Sequence, residues 1–224
     1  LIEQSGVSVV NATNRADLLE HASHKDEDTV FAGSAAFFAA YLEYLKFKTT
    51  ISPNFIPKIE NTLYVCGSAF CKSHQAVEAA RKTGTTVAYI SPLWLEEPEL
   101  ETNLEGCVQQ LVEAIKEKGR AILAVDHPVL EEKNAARKLK QSVANVVKKV
   151  LVKVVIKELV VEGGATTFAI VETLKYRHFI PTNELANGVV RMNVEEDRSI
   201  HLTIKPGSYD FPKTIWDFSK LENE

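Results

Sequence analysis

The chain has 224 residues, 45% hydrophobic and 25% charged, with a formal net charge of -4. This is globular composition, with apolar residues for one large or two smaller cores. No strongly basic stretch alternates with aromatics, which argues against a nucleic-acid partner. The longest apolar region, Val143–Val161, is broken by Lys148, Lys149, Lys153 and Lys157, which argues against a membrane span.

In chain order, Val7–Val10 reads as a buried strand, and Arg15–His24 as a helix capped by Asn14 or Thr13. Thr29–Ala32 reads as a short strand. Ser34–Phe47 reads as a helix, with Phe37, Phe38, Tyr41, Leu42 and Leu45 at helical spacing. The segment from Thr49 to about Glu60 carries Pro53 and Pro57 without periodicity, so residues 49–59 are expected to form a linker. Beyond it strands and helices alternate: strand Thr62–Cys66, helix Lys72–Thr83 ended by Gly84, strand Thr86–Ile90, helix Asn103–Lys118 ended by Gly119, and strand Ala121–Val125. A long helix from about Val129 to Val155 follows, with Val143, Val146, Val147, Val150, Leu151 and Val154 as one stripe. Strand Glu158–Val161 and helix Thr166–Lys175 come next. Gly188–Val194 and Ser199–Ile204 then form a hairpin near a sheet edge. The expected fold is α/β, a three-layer Rossmann-like and mostly parallel sheet with a C-terminal antiparallel hairpin.

Three strand ends carry glycine beside Ser or Thr: Gly67-Ser68-Ala69-Phe70, Gly163-Gly164-Ala165-Thr166-Thr167 and Lys205-Pro206-Gly207-Ser208. Glycine lets backbone approach a bound group closely, and the N–H groups of a following helix favour an anion. In open α/β sheets, ligands bind beyond the carboxyl ends of the strands. The candidate nucleotide-binding residues are therefore Ser68, Gly163, Gly164, Ala165, Thr166 and Gly207. Lys205 would either neutralise phosphate or stand as an ordinary charge at a strand end. Asp126 would touch ribose or metal, or cap the next helix. No side chain is assigned a catalytic role and no metal ligand is assigned. The cysteines, Cys66, Cys71 and Cys107, fit neither a disulfide framework nor a zinc pattern, so a reducing, cytoplasmic setting is expected.

The ordered set Gly67-Ser68, Gly163-Gly164-x-Thr166 and Lys205-Pro206-Gly207-Ser208 resembles the C-terminal nucleotide-binding domain of the four-carbon acid sugar kinase family. Ala32-Gly33-Ser34-Ala35 resembles the segment that closes that family's first domain. The resemblance implies a cofactor, ATP with Mg²⁺, and a small sugar-acid substrate bound by an N-terminal domain. Residues 1–48 would be the remnant of that domain, and residues 60–224 the nucleotide-binding domain. The sequence begins at Leu1 without Met and lacks the family's Asp-Asp-x-Thr-Gly-Ala segment. It therefore reads as a piece of a longer protein, inactive as a kinase by itself. A homo-oligomer stays open.

Departures from the family pattern support a second reading, a nucleotide-binding fold without turnover. Cys66 replaces the first Ser of a Ser-Gly-Ser loop, Ala165 an acidic residue, and Ser208-Tyr209-Asp210 an Asn-Phe-Gly. A third reading, a nicotinamide-binding domain, is opposed by the lack of Gly-x-Gly-x-x-Gly after the first strand.

Overall fold

The computed structural model describes residues 6–47, 60–67, 71–126 and 133–218, with no statement for the side chains of Glu96 and Lys133. The chain divides into two compact units, Leu1–Ile51 and Ser52–Glu224.

The first unit holds two packed helices, α1 (Arg15–Ser23) and α2 (Ala35–Tyr44). Asn14 caps α1 by accepting from the Ala16 and Asp17 N–H groups, while the Asp17 carboxylate accepts from the Asn14 N–H in return. Ser34 caps α2 by accepting from the Phe37 N–H. Phe31 meets Phe37 and Tyr41 edge-on at 5.2 and 5.5 Å. The expected strands Val7–Val10 and Thr29–Ala32 do not form. Val7 and Val9 are 95% and 91% exposed instead of buried. A strand exists only where a neighbour accepts its ladder hydrogen bonds, and among the described residues none pairs with either segment.

The second unit is a seven-stranded sheet in the order β2-β3-β1-β4-β7-β6-β5. Its strands are β1 (Thr62–Cys66), β2 (Val87–Ile90), β3 (Arg120–Val125), β4 (Glu158–Glu162), β5 (Phe179–Ala186), β6 (Val189–Val194) and β7 (His201–Lys205). The first five strands of that order run parallel, and β6 and β5 add antiparallel pairings. The helices are α3 (Cys71–Lys82), α4 (Leu100–Lys118), α5 (Lys133–Lys153) and α6 (Gly164–Leu174), with a 3₁₀ turn at Pro92–Glu96. Gly119 ends α4 in the left-handed conformation, at φ 69°.

Three layers result. One face of the sheet packs on α4, α5 and α6, where Leu111, Val143, Val147, Val150 and Ile170 are fully or nearly fully buried. The valine stripe of α5 is thus a core stripe, and its lysines reach α4, Lys149 to Glu101 and Lys153 to Glu105. The other face packs on α3 and on the segment after β7. There the Tyr64 hydroxyl donates to Ile215 O at 2.6 Å, Arg120 donates to Asp217 O at 2.7 Å, and Trp216 and Phe218 meet Tyr64 edge-on.

The alternating fold and its C-terminal antiparallel hairpin match expectation; what differs is one further strand, β5, beyond the hairpin. The hairpin is β6–β7, but β7 also pairs in parallel with β4, which puts it inside the sheet. The sheet edge on this side is β5, unmarked in sequence because Pro181, Thr182, Asn183 and Glu184 interrupt its apolar pattern. Two register shifts accommodate it. An edge strand tolerates Pro and irregular pairing, since one side needs no ladder. The expected linker at 49–59 and the first residues of the long helix lie outside the described residues. Among the described residues no helix is long and apolar enough to cross a membrane.

Candidate functional site

The strands β1, β4 and β7 are neighbours and parallel, so Cys66, Glu162 and Lys205 stand side by side at one end of the sheet. The glycine loops that follow these residues leave the same sheet edge within two strand spacings, about 10 Å. Chain order alone separates Gly67 from Gly163 by 96 residues and Gly163 from Gly207 by 44. The parallel crossovers bring them together.

Two contacts join the loops directly. The Gly163 N–H donates to Lys205 O at 2.8 Å. A Cβ added to Gly67 would stand 2.4 Å from the Thr166 Oγ1, so Gly67 and Thr166 are packed as closely as two residues can be without a side chain on one of them. Gly163 sits at φ 91°, ψ 127°, a conformation that side chains strain to reach. It is the N-cap of α6 and offers no side-chain cap. The Thr167 N–H is bonded to Gly163 O, while the first N–H groups of α6 lack the usual side-chain acceptor. Gly164 and Ala165 are exposed there, and a Cβ at Gly164 would meet nothing within 4 Å. The chain's own packing therefore does not require glycine at 164, and its absent side chain leaves open room over a bare helix N-terminus. Those features fit a phosphate group.

Of the sequence candidates, Gly163, Gly164, Ala165 and Thr166 share this helix start, and Thr166 is buried against Gly67. Gly207 is half-buried in the neighbouring turn, closed by the Tyr209 N–H donating to Pro206 O at 3.1 Å. The Tyr209 ring lies over Gly188 of the β5–β6 turn, where a Cβ would stand 2.7 Å from the ring. Ser68 lies outside the described residues, as do His127 and Pro128. Asp126 donates its N–H to Ile90 O at 3.0 Å.

Lys205 corrects the sequence reading. It is 1% exposed, and its ammonium is bound to Glu162 Oε1 at 2.7 Å, not presented to the crevice. A strand-end lysine looks like a surface charge in sequence, but this strand end is covered by the turn after it. Sequence reading also missed Glu162 itself. Its signal was there: an acid every fourth residue, Glu158 and Glu162, in a strand otherwise wholly apolar. Lys72, one residue into α3, pairs with Asp210 at 3.3 Å, both side chains largely exposed. The start of α3 and the segment after the third loop thus carry opposite charges toward one another.

Cys66 lies beside Glu162 and is buried. Burial, reinforced by the carboxylate, pushes its thiol well above the ordinary range. Cys107 is also buried, and its thiol is raised by burial too. Cys71, at the start of α3, is exposed. A thiol reagent should therefore modify Cys71 quickly in the native protein, and Cys66 and Cys107 only on unfolding. Peptide mapping after a short reaction checks this, and early labelling of Cys66 would contradict the packing.

The model of the nucleotide-binding C-terminal domain family matches residues 63–209. No curated protein matches the chain. Among solved structures, a Haemophilus influenzae protein of the DUF1537 family is 17% identical, with a TM-score of 0.63 over 93% of this chain and 51% of its own. A Salmonella typhimurium LT2 protein whose name suggests a tRNA synthase is 16% identical, with a TM-score of 0.67 over 96% of this chain and 52% of its own. A Bordetella bronchiseptica DUF1537 protein, a domain-swapped dimer with bound citrate, is 14% identical, with a TM-score of 0.56 over 69% of this chain and 39% of its own. The chain spans about half the length of the first two.

Proposed function

Because the chain belongs to the nucleotide-binding C-terminal domain family, we propose that its three-loop crevice holds the phosphates of ATP, as the nucleotide half of a kinase for a small four-carbon sugar acid. The observation that carries this reading is the bare start of α6, where Gly163 brings no side-chain cap and the exposed Gly164 and Ala165 carry the first N–H groups of the helix, beside the strand ends that lead into two other glycine loops. In this reading the N–H groups of Gly164 and Ala165 bind phosphate oxygens. Gly67 and Gly207 let the flanking loops come close, and Ser68 adds a hydroxyl. Thr166 holds the first loop at its distance by packing on Gly67. Mg²⁺ bound with the nucleotide would supply charge neutralisation at the phosphates. Phosphoryl transfer rests on positioning and charge neutralisation, which backbone can supply.

The acceptor would bind to an N-terminal domain of which residues 1–48 are a part. The isolated chain would then bind nucleotide without turnover, because the acceptor is not held in line. The domain-swapped dimer of the Bordetella protein makes a homo-oligomer part of the same proposal. A catalytically silent nucleotide-binding module is the second reading. It is favoured by the exposed Ala165, which brings no oxygen ligand to the helix start.

Calorimetry with ADP, ATP and NAD tests the proposal. The expected result is binding of adenine nucleotides at micromolar concentrations or below, tightened by Mg²⁺. Binding of NAD in preference, or of none, refutes it. Asp210→Gly should tighten ADP by about two- to ten-fold, because it removes a carboxylate near the phosphates and frees Lys72. Its stability should stay within about 1 kcal/mol of wild type, since the pair is exposed. Unchanged affinity would mean that the third loop is not at the phosphates.

A further inference from the structure

On the sheet face toward α3, the ends of β4 and β7 hold an ion pair almost wholly out of water. Glu162 is 0% and Lys205 1% exposed. The Lys205 Nζ carries three donors, and three acceptors receive them: Glu162 Oε1 at 2.7 Å, Pro206 O at 3.0 Å and Tyr209 O. The Phe211 ring lies under the same ammonium at 4.5 Å. The Ser73 hydroxyl, from α3, donates to Glu162 Oε1 as well, and Glu162 Oε2 accepts nothing from the described residues. The backbone completes the link, since Gly163 N–H donates to Lys205 O at 2.8 Å. One buried pair is thus tied to the helix behind the first loop, the strand before the second, and both ends of the third.

Stability does not account for such a pair. Two charges lose their hydration on burial, and apolar residues of similar volume serve a core at least as well. What apolar residues do not do is bind the carbonyls of Pro206 and Tyr209 and the hydroxyl of Ser73 at once. We propose that Glu162 and Lys205 are positioning residues of the phosphate cradle. Lys205 clamps the Pro206–Tyr209 turn, and Glu162 anchors both Lys205 and α3, so that the glycine loops stand at bonding distance before the ligand arrives. Neither side chain touches the ligand. The inference rests on the nucleotide reading of the crevice, and it supplies what that reading needs, a rigid cradle made of backbone.

The experiment uses Lys205→Met, Glu162→Met and the double variant. Each single variant strands one buried charge, so each should melt at lower temperature and bind ADP ten-fold or more weakly. The double variant removes both charges and should recover a melting temperature near wild type while ADP stays at least ten-fold weaker. Recovery of stability together with affinity within two-fold of wild type would overturn the proposal, leaving the pair a structural one.

Ser73→Ala keeps the pair and serves if the double variant does not fold. A three- to ten-fold loss of ADP affinity at nearly unchanged melting temperature supports the anchor to α3, and unchanged affinity overturns it. Hydrogen exchange at the Gly163 amide needs no nucleotide. It should quicken at least ten-fold in the double variant, or in Lys205→Met if that alone folds, and an unchanged rate counts against the clamp. Should wild type bind no nucleotide, the functional reading falls, while the exchange result still judges the pair.

Discussion

Gly67→Ala is expected to damage the protein more than any other single methyl group in the crevice. The added Cβ would meet Thr166 Oγ1 at 2.4 Å, Cγ2 at 2.9 Å and Cβ at 3.2 Å. Thr166 is 4% exposed and sits in the first turns of α6, so it has little room to turn away. Overpacking of this kind costs about 1–3 kcal/mol, a fall in melting temperature on the order of 5 °C for a chain of this size. The clash also pushes the start of α6 away from β1, so ADP binding should weaken by more than the loss of stability alone would suggest. Adding Thr166→Ala removes Oγ1 and Cγ2 from the contact. The double variant should regain roughly half of the lost stability, with a favourable coupling of about 1 kcal/mol. Thermal melts of the two single variants and the double one form the cycle. Strict additivity would show that these side chains do not meet.

Arg191→Met is expected to be the most destabilising change far from the crevice. At the opposite end of β4, Arg191 Nε donates to Glu158 Oε2 at 2.9 Å and Thr203 Oγ1 donates to Oε1 at 2.6 Å, with both charged side chains almost wholly buried. Removing one partner of such a pair leaves a buried charge and costs about 3–5 kcal/mol. The cost should depend on pH. Burial already raises the Glu158 carboxyl above its ordinary value of 4.5, with Thr203 and Arg191 pulling it back down. Without Arg191 it rises further. A carboxyl whose folded value lies above its unfolded one is most favourable when protonated, so its contribution is present below the unfolded value and lost as pH rises through the folded one. His201, held below its usual value by burial and by Arg191, would gain proton affinity in the variant and add in the same direction. Urea unfolding of variant and wild type at about pH 5 and about pH 8 should therefore show the smaller gap at the lower pH. Equal gaps would mean that Glu158 stays charged and solvated without Arg191.

Both predictions concern pairs that no local pattern announces. Gly67 and Thr166 are about a hundred residues apart in sequence. Each reads alone as ordinary turn or cap chemistry, and only the parallel pairing of β1 with β4 makes one the wall of the other. Lys205 shows the same limit from the other side. The sequence shows a lysine before Pro-Gly, which is turn chemistry on a surface, and the turn itself folds back and buries it. Strand β5 escaped for a different reason. An edge strand with Pro181 and two register shifts lacks the alternation that marks a strand with partners on both sides.

The local periodicities of this chain determined its helices and inner strands, because burial on one or both faces imposes spacings of 3.6 or 2 residues that composition records directly. Asn14 and Gly119 stand where helix ends need a side-chain acceptor or a left-handed residue, and those needs are local too. The glycine loops likewise mark three strand ends where the chain permits close backbone approach. Which loops share an edge, which charges lose their water and which glycine faces which side chain were decided by the strand order alone. Hydrogen-bonded pairing between strands is a relation between distant segments, and only the folded sheet contains it.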